Sequence, residues 1–284
     1  MRVSSPREWD GGAPQGAGLP PEIDTTTPHP ARMYDFYLGG KDNFAADRAA
    51  AQQAIAAWPS ILVAARENRA FVGRAVRYLT AEAGISQFLD IGSGLPGVGN
   101  VHDVAQSVIR SARVVYVDND PIVLAHARAL LVSTREGKCA YIQADLREPE
   151  KILADPLVRE TLDFGQPIAL ILAAVLPFIP DEAGPVGIVK TLVDALPSGS
   201  YVVASHGGTD YVPEHVRQGL GRAYSKGATH ATSRDAREFA DLVFAGLELV
   251  PPGVIVTSEW RPEANAYLPP RSSVGSSAAV GRKP

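Results

Sequence analysis

Three stretches of this chain carry residues that could do chemistry. Asp90-Ile91-Gly92-Ser93-Gly94, Asp118-Asn119-Asp120 and Asp145-Leu146 each follow a short apolar run, and their leading acids stand 28 and 27 residues apart. A carboxylate at the end of the second run suits the two hydroxyls of a ribose. One at the end of the third can accept from an adenine amino group, with Ala144 and Leu146 packed on the ring. Three such ends at even spacing point to a ligand that carries adenosine. Ala173, at the end of a fourth run, joins this cofactor-binding set, and Asn119 sits beside Asp118.

Two cofactors share adenosine, and the glycine loop must choose between them. Gly92-x-Gly94-x-x-Gly97 matches a dinucleotide fingerprint, whereas Asp90-x-Gly92-x-Gly94 matches the loop of S-adenosylmethionine (SAM) enzymes. Pro96 lies inside the first pattern, where the third glycine should already be helical and an interior proline costs roughly 3 kcal/mol. Asp90 would repel a pyrophosphate but can receive the cationic amino group of a methionine moiety. The loop therefore favours SAM. Glycine lets the backbone approach the ligand, and free N–H groups in the following turn would receive its carboxylate.

The elements that must position these residues follow from periodicity. From Ser86 the chain alternates strand, loop and helix: "QFLDI", "RVVYVD", "AYIQAD", "PIALIL" and "SYVVASH" are each followed by a helical stretch. This alternation specifies a parallel sheet covered on both faces. "LELV" and "VIVTSEW", joined by Pro251-Pro252-Gly253, are too close for a parallel return and read as an antiparallel terminal hairpin. The expected fold is α/β, a Rossmann-like sheet of seven strands. Two helices precede it, one Ala-rich and capped near Asp42 or Asn43, the other over 61–83 with an apolar face through Phe71, Val72, Ala75, Val76 and Leu79. Residues 1–30 and 269–284, crowded with Gly, Pro and Ser, read as disordered tails. Residues 31–84 then form a helical extension and 85–268 the cofactor-binding core.

Composition narrows the partners. With 284 residues and a formal net charge of -4, the chain offers no basic field for nucleic acid or an anionic membrane surface, and a small-molecule acceptor is the remaining class. Cys139 is the sole cysteine, which excludes an internal disulfide and paired-cysteine zinc sites, and no His/Asp/Glu group has metal-ligand spacing. The start lacks a secretory signal, and the longest apolar run, "IALILAAVLPFI", is too short to cross a bilayer, so a cytoplasmic protein is expected.

The stretches "ARMYDFYLGGKDNFAADR", "ENRAFVGRAVRYL", "FLDIGSGLPGVGNVHDVAQ", "ARVVYVDNDPIVLAHARALL", "AVLPFIPDE" and "GLELVPPGVIVTSEWRP" together resemble a bacterial, actinomycete-type family of SAM-dependent methyltransferases formerly catalogued as a domain of unknown function. The resemblance covers most of residues 31–262. It implies a class I methyltransferase fold with an N-terminal helical extension, and SAM held at Gly92, Ser93, Gly94, Asp118 and Asp145. It supplies neither acceptor nor base. In the family the fourth strand usually ends Val-Leu-His, and Pro177 stands in the histidine's place here, so any work done by that histidine is lost or passes to another residue.

Methyl transfer is an in-line displacement in which alignment supplies much of the rate, and a base is needed chiefly for hydroxyl acceptors. His206, at the end of the fifth strand, is the candidate base; His102 reads as a brace for the glycine loop and His126 as a surface residue. "YDFYLGGKDNF" places Tyr34, Tyr37 and Lys41 beside a Gly-Gly break. It reads either as a lid that brings Tyr34 or Lys41 to the methionine carboxylate or as an aromatic anchor for the extension. The competing functions are a catalytically silent SAM-binding module and an NAD(P)-dependent oxidoreductase.

Overall fold

The computed structural model describes residues 24–130, 132–225 and 231–284. Three helices precede the sheet: α1 (Pro30–Tyr37), α2 (Ala45–Ala57) and α3 (Ile61–Ala81). The sequence reading expected two. It missed the short α1, which begins with proline at its first turn and is capped by His29 Nδ1 accepting from the Ala31 N–H. α2 starts later than Asp42 or Asn43: Phe44 is its cap residue, and Asp47 at N3 reaches back to the Phe44 N–H.

Each apolar run becomes a strand. β1 (Gln87–Ile91), β2 (Arg113–Asp118), β3 (Lys138–Gln143), β4 (Ala169–Ala173) and β5 (Tyr201–Gly207) pair in parallel in the order β3-β2-β1-β4-β5. The reversal between β1 and β4 opens a crevice at the carboxyl ends of the strands. Connecting and flanking helices are α4 (Val101–Val108), α5 (Pro121–Leu130), α6 (Pro149–Ala154), α7 (Pro156–Thr161), α8 (Pro185–Ala195), α9 (Glu214–Tyr224) and α10 (Ala236–Val243). Alternate residues of each strand serve the two faces: Leu89 and Ile91 enter one core with Val115, Leu170 and Phe239, and Phe88 enters the other with Phe71, Leu79 and Trp260.

The antiparallel end of the sheet is built on residues that the sequence reading took for a tail. After β6 (Glu248–Leu249), β7 (Ile255–Val256) and the short α11 (Arg271–Val274), β8 (Ser276–Arg282) pairs with β5 from Tyr201↔Arg282 to Gly207↔Ser276. β6 and β7 each pair with β8 rather than with one another. The disordered tail at 269–284 is thus corrected to an internal strand. "SSAAVGR" holds one β-branched residue and gave little strand signal. Small residues are required there all the same: Ala278, Ala279 and Val280 are fully buried, and a Cβ on Gly281 would lie 2.7 Å from the Phe244 ring.

The amino-terminal tail is corrected in part. Residues 1–23 lie outside the described residues, but the Arg32 guanidinium donates to the carbonyls of Asp24 and Thr27 and fixes that segment against α1. Arg32 Nε also lies 3.3 Å from Asp120 and 3.4 Å from Asp47, and His29 lies 3.3 Å from Asp120, which ties the start of α1 to the end of β2. Among the described residues, no helix is long and apolar enough to cross a membrane, and no group of three His, Cys, Asp or Glu is gathered to hold a metal ion.

Candidate active site

A cavity of about 310 Å³ lies over the carboxyl ends of β1, β2, β4 and β5 and is roofed by α1, α3 and α9. It falls at the lower end of the range for small-molecule sites, roughly 300–1,000 Å³. Its sheet-side wall gathers Asp90, Gly92, Ser93, Asp118, Asn119, Asp145, Leu146 and Ala173, and Tyr34 faces it from α1.

The glycine loop is shaped from within. Gly92 and Gly94 have φ of +73° and +65°. A Cβ at Gly92 would also meet Val175 Cγ2 at 2.4 Å, so only glycine fits. The N–H groups expected to be free are taken: Gly92 and Ser93 donate to the Val117 carbonyl, Gly94 to Asp118 Oδ2 at 2.8 Å and Gly97 to Asn100 Oδ1 at 2.9 Å. Gly97 lies outside any helix, because α4 starts only at Val101. The pyrophosphate seat of a dinucleotide site, a helix N-terminus directly after β1, is therefore missing.

The carboxylates differ in their surroundings. Asp118 Oδ1 accepts from the Asp120 N–H at 3.1 Å, and burial pushes its pKa up. Asp90 is buried in the crevice, and desolvation raises it to about 7, opposed by the Arg69 guanidinium and assisted by Asp118. Asp145 is clasped by Arg147, whose backbone N–H and Nε donate to Oδ1 at 2.9 Å while Nη2 donates to Oδ2, and this holds its pKa below the usual range.

His206 faces the cavity but is already engaged at both ring nitrogens. Nδ1 lies 2.9 Å from the Gly207 carbonyl and Nε2 lies 2.9 Å from Arg234 Nη1, an obligate donor, so the ring is the neutral Nδ1–H tautomer. Burial lowers its pKa to about 4, and the Arg234 charge works in the same direction. A base needs a free lone pair aimed at the acceptor. The catalytic assignment of His206 is therefore corrected to one of support: it braces Arg234, which also donates to Leu176 O, Ile179 O and Asp181. Lys41 is exposed and lies away from the cavity, so it is corrected as well; the turn at Gly39 carries it outward. His102 is buried against Tyr116, to which its N–H donates at 2.8 Å, and His126 pairs with Asp42 at 3.5 Å.

Several lining residues escaped the sequence reading. Asn68 on α3 donates to Tyr34 Oη at 3.0 Å and accepts from Ser205 Oγ on β5. Tyr34 Oη in turn donates to the Ala65 carbonyl, and the Ala174 N–H donates to Ser205 Oγ. Ala174 itself is held at φ +55°. Trp58, Arg69, Arg217, Tyr224 and the segment Val274–Ser276 complete the walls. The available signal was helical spacing: Ile61, Ala65, Asn68 and Val72 form one face of α3, and Arg217, Leu220, Gly221 and Tyr224 form one face of α9.

A strand order of β3-β2-β1-β4-β5 ending in an antiparallel strand, with acids and glycines at the open ends of its first three strands, defines a class I methyltransferase fold. Residues 17–284 match the S-adenosyl methyltransferase family, and the chain belongs to it. It is similar to two solved structures. One, a DUF574 family protein from Streptomyces avermitilis MA-4680, shares 44% identity, with 92% of this chain and 100% of that chain covered and a TM-score of 0.88. The other, described as a candidate methyltransferase from Thermobifida fusca YX, shares 42% identity, with 93% and 98% covered and a TM-score of 0.84. A comparison with curated proteins found no match. The protein is thus a SAM-dependent methyltransferase, and the oxidoreductase and silent-module readings give way to it. The acceptors at the seat fit the cofactor: the buried carboxylates of Asp90 and Asp118 can take its ammonium group and its ribose hydroxyls.

Proposed function

We propose that the chain methylates a small-molecule acceptor, with cofactor and acceptor sharing the one cavity. S-adenosylmethionine supplies a methyl group on a sulfonium. Asp118 would take the ribose hydroxyls, since its two oxygens retain lone pairs beyond those given to Gly94 and Asp120. Ala144, Asp145 and Leu146 would flank the adenine, and Asp90 with Gly92 and Ser93 the methionine end. Tyr34 lines the cavity from α1.

The observation that carries this reading is the commitment of His206. With that nitrogen pair occupied, the chain positions an acceptor whose nucleophile needs no deprotonation by it, and alignment carries the rate. Calorimetric titration with S-adenosylhomocysteine tests the cofactor seat. Micromolar binding in the native chain, weakened at least about tenfold in Asp118→Asn, is the expected result. Equal affinity in both proteins would remove Asp118 from the site.

A further inference from the structure

We infer that the acceptor is a flat aromatic acid, seated between α1, α3 and α9 with its anionic group on Arg217; this rests on the function proposed above. The half of the cavity away from the strand ends is aromatic. Tyr37 and Tyr224 bring their hydroxyls within 3.3 Å of each other, and Phe178 and Tyr224 rings lie 5.4 Å apart at a 55° tilt. Trp58 also lines the cavity, next to Gly275. Such rings favour a planar ligand of similar shape. Among the described residues, apart from the neighbouring backbone of α9, no atom lies within 4 Å of where a Cβ on Gly221 would stand.

Arg217 is the cation placed to select charge. On α9 it precedes Leu220, Gly221 and Tyr224 by three, four and seven residues and so shares their cavity-facing side. Its Nη2 is held by Glu214 towards solvent, which orients the guanidinium. Its Nε is buried and has no hydrogen-bond partner among the described residues. Of the other lining arginines, Arg147 is clasped to Asp145, and Arg69 donates to Asn100 Oδ1 at 2.9 Å and faces Asp90. A carboxylate from the ligand would pair with the guanidinium on the side where Arg217 lines the cavity.

The test is titration of the full chain, saturated with S-adenosylhomocysteine, with 2-naphthoate, 2-naphthamide and cyclohexanecarboxylate. Naphthoate should bind, with naphthamide and cyclohexanecarboxylate each at least about tenfold weaker. Arg217→Gln should weaken naphthoate to the level of naphthamide and leave naphthamide and S-adenosylhomocysteine unchanged, the latter showing that the variant is folded. Equal binding of acid and amide, equal binding of the aromatic and saturated acids, no binding of naphthoate, or naphthoate binding insensitive to Arg217→Gln would each overturn the proposal while the cofactor seat stands. Failure to take S-adenosylhomocysteine at all would instead overturn the function on which it rests.

Discussion

Asp90 and His206 are both buried at the carboxyl ends of strands, and burial acts on them in opposite directions because one is an acid and the other a base. The folded state favours protonated Asp90. Its pKa is raised from 3.8 to about 7, so the stability it contributes is complete below pH 3.8 and is lost as pH rises through 7. Asp90→Asn should therefore raise the melting temperature of the ligand-free protein more at pH 8 than at pH 5. Equal increments at both pH values would show that Asp90 is not desolvated. For His206, held neutral with a pKa lowered from 6.5 to about 4, the contribution is present above pH 6.5 and is lost as pH falls through 4. Urea titrations of the native chain should lose stability across that acid window, and His206→Gln should flatten the loss there. The acids at the strand ends were legible in the sequence because each terminates an apolar run. The engagement of His206 was not, since its partner Arg234 lies 28 residues away and joins it only through the fold.

At the scale of elements, α1 and α3 are joined to the sheet by the chain of hydrogen bonds from Tyr34 through Asn68 to Ser205. Tyr34→Phe would strip the Asn68 amide of its partner and take the tyrosine donor from the Ala65 carbonyl, which keeps its helical bond; leaving a buried polar group unpaired costs about 1–3 kcal/mol. Urea denaturation should show that loss. Asn68→Leu should cost at least as much, because it also deprives Ser205. Strands β1 to β5 and the helices between them were readable from alternation alone. The roof was harder, because Tyr34 and Tyr37 look the same in sequence whether they anchor a helix or face a ligand; both turn towards the cavity, and Tyr37 also enters the core of the extension. α9 carried the period of a cavity-facing helix, but Arg217 and Gly221 on that face resemble ordinary surface residues until α1 and α3 are placed opposite them.

For the whole molecule, the helical extension and the carboxyl-terminal segment meet at one point. Gly275, at φ +59° between α11 and β8, packs so closely that a Cβ would lie 2.6 Å from both the Trp58 ring and Val212. Strain at a left-handed position and overpacking each cost about 1–3 kcal/mol, so Gly275→Ala should destabilise by about 2–6 kcal/mol, visible as a large drop in melting temperature. It should also weaken ligand binding, because Val274, Gly275 and Ser276 line the cavity. Composition concealed this junction: a Ser-, Gly- and Ala-rich segment resembles a tail until the tightness of the space it fills is known.

The position of β8 also has a consequence for synthesis. β5 is made well before the strand that covers its outer side, with the 68 residues 208–275 between them. At roughly 5–20 residues per second, a ribosome takes roughly 3–14 s to cover that distance. Throughout that interval the nascent chain carries a seven-residue strand with one side unpaired, the kind of edge that recruits other chains. The vulnerable period of this protein thus falls between the synthesis of β5 and that of β8, after most of its sheet has been made.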